Sequence, residues 1–249
     1  MVDLVREAVR TSKAGASDSA RAGEGDLLGI GLYTAAETER LLRIPAPRIR
    51  RWLRGYSFNR DGVEHRAAPL WEAQVPDVYE TLTLSFRDIV EVRIVDRFVR
   101  AGISLRTVRL ALDRARQAMG TKYPFVTQRF RTDGRTIFLE IVDRAEEPLV
   151  YDLLRKQFVF RRIIAPSFKD LDFVGEAPVR WWPLQSRRTV VLDPARAFGQ
   201  PIVAQSGVPT ATLAAAVQAE GSVDAVARWY ESDIRAVRDA VEFERRLAA

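Results

Sequence analysis

Apolar residues recur at helical spacing towards both ends of the chain and crowd into short, β-favouring runs between them. The first periodic stretch begins at Thr34. Thr34-Ala35-Ala36-Glu37 has the form of a capping box, with Thr34 as N-cap and Glu37 at the third helical position, and Leu41 and Leu42 supply an apolar face. Ile44-Pro45-Ala46-Pro47 stops this helix and starts another, because proline suits the first turn of a helix and not its interior. The second helix carries Arg48-Ile49-Arg50-Arg51-Trp52-Leu53-Arg54 and ends near Gly55. Tyr56–Phe58 and Val63–Arg66 flank Asn59-Arg60-Asp61-Gly62, which predicts a hairpin. Residues 67–83 read as an irregular connection. Ser85 is expected to cap a helix over 86–100 with Ile89, Val92, Ile94, Val95 and Phe98 inward, and Ser104 one running to Met119; Gly102 and Gly120 end them.

From residue 123 the composition turns to Phe, Ile and Val. Strands are expected at Phe125–Arg131 and Arg135–Val142, with shorter ones at Val150–Leu153 and Gln157–Phe160. The last stretch is helical again. Thr210 is expected to cap a helix to Glu220, Ser222 one over Val223–Tyr230, and Ser232 one from Asp233 to about Leu247. Thr11 to Gly25 is Ser, Ala, Gly and charge without periodicity, which suggests a mobile arm over 1–27. The expected fold class is therefore α+β, mostly α: an N-terminal winged helix-turn-helix (28–120), a small β-rich middle section (121–187) and a C-terminal, helix-turn-helix-like three-helix bundle (188–249).

Composition narrows the function. The 249 residues are 47% hydrophobic and 29% charged, enough for a sizeable core. The formal charge of +6 and pI of about 9.9 suit an acidic partner. There is no cysteine, which excludes disulfides and zinc–thiolate sites, and no run approaches the ~18 apolar residues of a membrane helix. The start has no apolar segment of signal-peptide type, so a bacterial cytoplasmic location is expected. His65 is the single histidine, which rules out a triad or a multi-histidine metal site, and there is no phosphate-binding glycine loop. The chain is read as a non-enzyme with no catalytic residue, cofactor or metal.

The charge is not evenly spread. Thr34 to Arg66 holds eight arginines against Glu37, Glu39, Asp61 and Glu64. At roughly 100° per residue Ile49, Trp52 and Leu53 share one side of the second helix, Arg51 and Arg54 point almost opposite, and Arg48 and Arg50 flank them. Arginine on an exposed recognition helix pairs with guanine O6 and N7 or grips phosphates. Arg48, Arg50, Arg51 and Arg54, with Arg60 and Arg66 on the hairpin, are the candidate contacts to double-stranded DNA.

The stretch Tyr33–Glu37 through Arg48–Leu53 resembles the opening motif of MerR-like helix-turn-helix regulators. Leu84-Ser85-Phe86-Arg87-Asp88-Ile89 and Arg100-Ala101-Gly102-Ile103-Ser104 resemble that family's next helical pair. Two positions depart from it: Glu39 stands where a small alanine is usual and Arg43 where glycine is usual at the turn. At the other end, Val190-Val191-Leu192-Asp193-Pro194, Phe198-Gly199-Gln200-Pro201-Ile202-Val203 and Gly207-Val208-Pro209-Thr210 are similar to a small bacterial antitoxin domain associated with PIN-like toxins. Together the two resemble VapB-type antitoxins with an added DNA-binding domain. The resemblance implies a type II antitoxin that binds its own operator as a homodimer, represses it, and neutralises a PIN-like ribonuclease toxin. Arg161 and Arg162 beside Phe158 and Phe160, and Arg245 and Arg246 near Phe243, are candidate toxin contacts. A stand-alone MerR-like regulator without a toxin is the second reading, and a protein-binding scaffold the third. Asp170 and Asp172 alternate but are expected on the surface, and the Trp181-Trp182 pair is expected at a subdomain seam.

Overall fold

The structure, a computed structural model, describes residues 29–75, 81–132, 136 and 165–248. Strand β1 (Tyr33–Thr34) pairs antiparallel with β4 (Thr83–Leu84), so the chain leaves and re-enters its core at one point. Between them lie α1 (Ala35–Leu42), α2 (Ala46–Arg54) and a hairpin of β2 (Tyr56–Arg60) and β3 (Val63–Ala67). Then come α3 (Phe86–Arg100) and α4 (Leu105–Met119). A four-stranded antiparallel sheet follows in simple sequence order: β5 (Leu171–Val174), β6 (Ala177–Trp181), β7 (Val190–Leu192) and β8 (Pro201–Val203). The chain ends with α5 (Thr210–Glu220), α6 (Val223–Trp229) and α7 (Ile234–Ala248). Mixed helix and strand, an α+β arrangement, is what the apolar pattern implies.

The helix starts follow local chemistry. Thr34 and Glu37 form the reciprocal capping box, and Ser85 forms another with Asp88. Ser104 and Ser222 cap α4 and α6, and Gly120 and Gly221 close α4 and α5 in the left-handed conformation. Two expected caps lie elsewhere. Pro209, not Thr210, precedes α5; the Thr210 hydroxyl instead donates to the Glu244 carboxylate and the Pro201 carbonyl. Asp233, not Ser232, caps α7, its Oδ1 accepting from the Arg235 and Ala236 amides at 2.7 and 3.3 Å.

The strand expected at Phe125–Arg131 is absent. Pro124–Val126 is a 3-10 turn and residues 128–132 are helical. Pro124 fixes the backbone of that turn, and the Thr127 hydroxyl accepts from the Phe130 amide at 3.0 Å. Phe125 then packs against Phe98 and Phe130, with ring centroids 5.3 and 4.7 Å apart. The aromatic richness fills the core here and does not line a pleat. The strands expected at Val150–Leu153 and Gln157–Phe160 fall outside the described residues, as does Arg135–Val142 apart from Thr136, which is helical.

One apolar cluster runs from Tyr33 to Leu192 and joins α1–α4 to the sheet through Phe168, Leu171 and Trp181. A second gathers Val203 with Leu213, Val226, Val237 and Ala240 of α5–α7. The pairing of β7 with β8, Val190 opposite Val203, ties the second to the first. Tyr33 adds a tie of its own: its hydroxyl donates to the Gly199 carbonyl at 2.7 Å, and a Cβ on Gly199, at φ +83°, would lie 2.3 Å from that hydroxyl.

The expected surface position of Asp170 is also corrected. Its carboxylate is buried and accepts from Arg93 Nη1 and Nη2, both at 2.9 Å, and from Trp181 Nε1 at 3.0 Å. Arg93 donates further to the Ser167 carbonyl, and its guanidinium lies 4.9 Å from the centre of the Trp181 ring. Trp181, at the end of β6, is buried in the main cluster with its ring against Arg93 of α3, whereas Trp182 is half-buried. Asp172 stays half-exposed and holds Trp182 Nε1 at 2.8 Å. Glu91, also on α3, is fully buried. One carboxyl oxygen accepts from the Phe125 amide at 3.4 Å, while the other has no partner among the described residues. Burial pushes its pKa up to about 8, against weaker opposing pulls from that amide and from Arg116.

Two outcomes are expected. Asp170→Asn leaves a buried guanidinium uncompensated and should cost about 3–5 kcal/mol of unfolding free energy in urea titrations; a loss under about 1 kcal/mol contradicts a closed ion pair. Glu91 holds its proton more tightly folded than unfolded. The stability this provides is whole below about pH 4.5 and is lost as pH rises through about 8. Glu91→Gln should flatten the fall in stability between those values, and an unchanged profile assigns the dependence elsewhere.

Candidate nucleic-acid interface

Helix α2 is held by its apolar side. Ile49, Trp52 and Leu53 are each at most 5% exposed and pack into the main cluster, burial worth roughly 1.5–3 kcal/mol per side chain. The Trp52 carbonyl accepts from the Leu70 amide at 2.7 Å, which anchors the segment after the hairpin against α2. Gly55 permits this return: its φ is +74°, and a Cβ there would meet the Ala67 carbonyl oxygen at 2.3 Å.

The opposite side of α2 is arginine. Arg48, Arg50, Arg51 and Arg54 are all exposed. Arg48 leans back to Asp96 of α3 at 3.5 Å, and Asp96 also holds Arg100. The Arg51 guanidinium lies 4.1 Å from the centre of the Tyr56 ring. Tyr56 continues into an aromatic row on the hairpin, with Phe58 at 5.8 Å and then His65 stacked on Phe58 at 5.5 Å. In the β2–β3 register Phe58 faces His65 and Arg60 faces Val63. Alternation therefore puts Arg60 on the same hairpin face as Tyr56, Phe58 and His65, and Arg66 on the other. The structure thus brings Arg51 and Arg60 to one continuous surface through Tyr56 and Phe58, residues that charge counting alone passed over. Aromatics at alternate positions just after the arginine helix were the available signal.

Two of the four acids in this region are spent on the backbone. Glu37 caps α1. Glu39 reaches across the turn so that Oε2 accepts from the Ala46 amide at 3.2 Å, supplying the cap that Pro45 has no side chain to give. Arg43 is the left-handed C-cap of α1, at φ 58° and ψ 39°, and its amide donates to the Glu39 carbonyl at 2.8 Å. The two departures from the expected motif are thus accommodated: arginine takes a glycine conformation, and glutamate stands where a small residue was expected because it caps the next helix. The Arg43 carbonyl is held by Arg100 at 3.1 Å. Asp61 and Glu64 remain exposed on the hairpin.

The other candidate arginines are not at this surface. Arg245 and Arg246 lie exposed near the end of α7; Arg246 pairs with Glu242, and Phe243 between turns is buried. Arg161 and Arg162 fall outside the described residues. Among the described residues no group of three or more His, Asp or Glu side chains is placed to hold a metal ion, and no helix is long and apolar enough to cross a membrane.

The turn gives its own prediction. Arg43→Gly should leave α1 and α2 in place and raise stability by up to about 1 kcal/mol, since the left-handed strain goes and the carbonyl contact remains. Glu39→Ala should cost about 0.5–2 kcal/mol through loss of the cap. Thermal unfolding of both variants checks the pair, and a destabilised Arg43→Gly protein would contradict the turn geometry.

No family model matches the chain. It is 28% identical over 226 residues to a Mycobacterium tuberculosis protein named "Putative antitoxin VapB45", a likeness spanning 86% of this chain and 93% of that one. It is 24% identical over 234 residues, 88% of this chain and 92% of the other, to the uncharacterized protein Rv2308 of the same organism. The crystal structure of Rv2018 from Mycobacterium tuberculosis is similar in fold, with a TM-score of 0.66 and 25% identity over 86% of this chain and 99% of that one.

Proposed function

We propose that the chain is a DNA-binding antitoxin of a toxin–antitoxin system. In this reading α1, the turn at Arg43 and α2 form a helix-turn-helix of MerR-like kind, and the β2–β3 hairpin is its wing. Arg50, Arg51 and Arg54 meet the major groove, with Arg48 at the edge, and Arg60 and Arg66 reach phosphates on either side of the wing. The protein would act as a homodimer on its own operator and neutralise a PIN-like ribonuclease through residues 188–249.

The observation that carries the DNA half is the division of α2: three apolar residues buried, four arginines exposed, with Glu37 and Glu39 turned to capping. The antitoxin half is supported by near full-length likeness to a protein named as an antitoxin. A stand-alone MerR-like regulator keeps the first support and not the second.

Arg51→Ala and Arg54→Ala should each weaken operator binding by about 1–3 kcal/mol where the side chain meets a base. Unchanged affinity in both contradicts the assignment of α2 as the reading helix. Co-expression with the product of the adjacent gene tests the other half. A stable complex that restores growth supports an antitoxin; operator binding without any complex or rescue leaves the regulator.

A further inference from the structure

The corner between α6 and α7 leaves two large apolar side chains in water. Trp229, the last residue of α6, is 63% exposed, and Ile234, the first of α7, is 40% exposed. The turn between them is tight: the Ser232 amide donates to the Ala227 carbonyl at 2.9 Å, and Glu231 takes a left-handed φ of 49°. The core beneath closes without either side chain, through Val226, Val237 and Ala240. Aromatic side chains dominate core and interface energetics alike, and this tryptophan closes no core among the described residues.

The outward face of α7 continues from this corner. Ile234, Arg238, Val241 and Arg245 follow at spacings of four, three and four, which sets them on one stripe. Ala236, Val237, Ala240 and Phe243 are buried on the opposite side. Every acid of α7 is already engaged: Asp239 with Arg187 and Thr189, Glu242 with Arg187 and Arg246, Glu244 with Thr210 and Arg40. Asp233, just before the helix, accepts from its first amides. Arg238 and Arg245 are exposed and have no acceptor among the described residues. Asp224 and Glu231 lie exposed on the α6 side. The surface is therefore an apolar corner with a cationic arm along α7, not a uniformly basic face.

We propose that Trp229 and Ile234, with Arg238 and Arg245, form the surface on which the chain docks a partner protein whose contact face holds an apolar pocket bordered by carboxylates. The inference rests on the antitoxin reading and names, within residues 188–249, the surface that takes the toxin. Tryptophan and arginine are the residues that most often carry the energy of a protein–protein contact. A two-fold contact along α7 with a second copy of the chain would set cation against cation at Arg238 and Arg245, which disfavours that occupant. Asp224 and Glu231 beside the tryptophan disfavour a phosphate backbone.

The experiment measures binding of the full chain to the product of the adjacent gene by biolayer interferometry, with sedimentation of the chain alone beside it. Trp229→Ala, and separately the double variant Arg238→Glu with Arg245→Glu, should each weaken the complex at least about tenfold at an unchanged thermal midpoint. Lysine at both arginine positions should keep part of what glutamate removes, because the charge is retained. Full affinity in both variants would overturn this surface and leave the antitoxin reading standing, whereas no complex with the unaltered chain would overturn both. Loss of self-association, or of affinity for promoter DNA, with partner binding intact would give the face to a second copy or to DNA and overturn the proposal.

Discussion

The buried pair of Arg93 and Asp170 is the constraint on which the arrangement rests. Neither charge reaches water, so each is tolerable only while the other is in place, and Trp181 and the Ser167 carbonyl take up further hydrogen-bonding capacity of the pair. The two residues lie 77 positions apart, so one contact fixes α3 against the sheet. Everything the sheet carries, including its link through β8 to α5–α7, is thereby registered to α3.

The same side of α3, one to two turns further along, supports α2. Asp96 meets Arg48, and Arg100 holds both Asp96 and the Arg43 carbonyl at the turn. The apolar side of α2 closes on the same core. A rigid mount of this kind allows a helix to keep four arginines exposed without collapsing them onto its own acids. Glu37 and Glu39 are occupied by amides, and Arg51 rests on Tyr56. Order is thus imposed on long side chains before any partner arrives, which reduces the entropy lost on binding.

Helix positions were legible in the sequence because caps are local. Thr34, Ser85, Ser104 and Ser222 act as their spacing suggests, and the burial of Ile49, Trp52 and Leu53 follows from 100° steps. The sheet was not legible. β7 and β8 are three residues long, β6 contains Pro178, and the β5–β6 register shifts at Asp172/Phe173, so no alternating run is long enough to register. Phe125 and Phe130 looked like strand residues because aromatic content does not distinguish a pleat from a packed turn. Asp170 looked like a surface residue because its partner is distant in sequence. At the candidate interface the arginines were visible from charge alone. The roles of Tyr56, Glu39 and the left-handed Arg43 depend on what the folded turn brings together.

The central claim is that the exposed arginines of α2 and the hairpin form an electrostatic surface for duplex DNA. The salt dependence of affinity for DNA from the chain's own promoter region tests it most directly. The account predicts a linear fall of log affinity with log salt concentration, at about 0.9 per phosphate neutralised, so a slope of several units for a dimer. No measurable binding at low salt, or binding that does not change with salt, would contradict it.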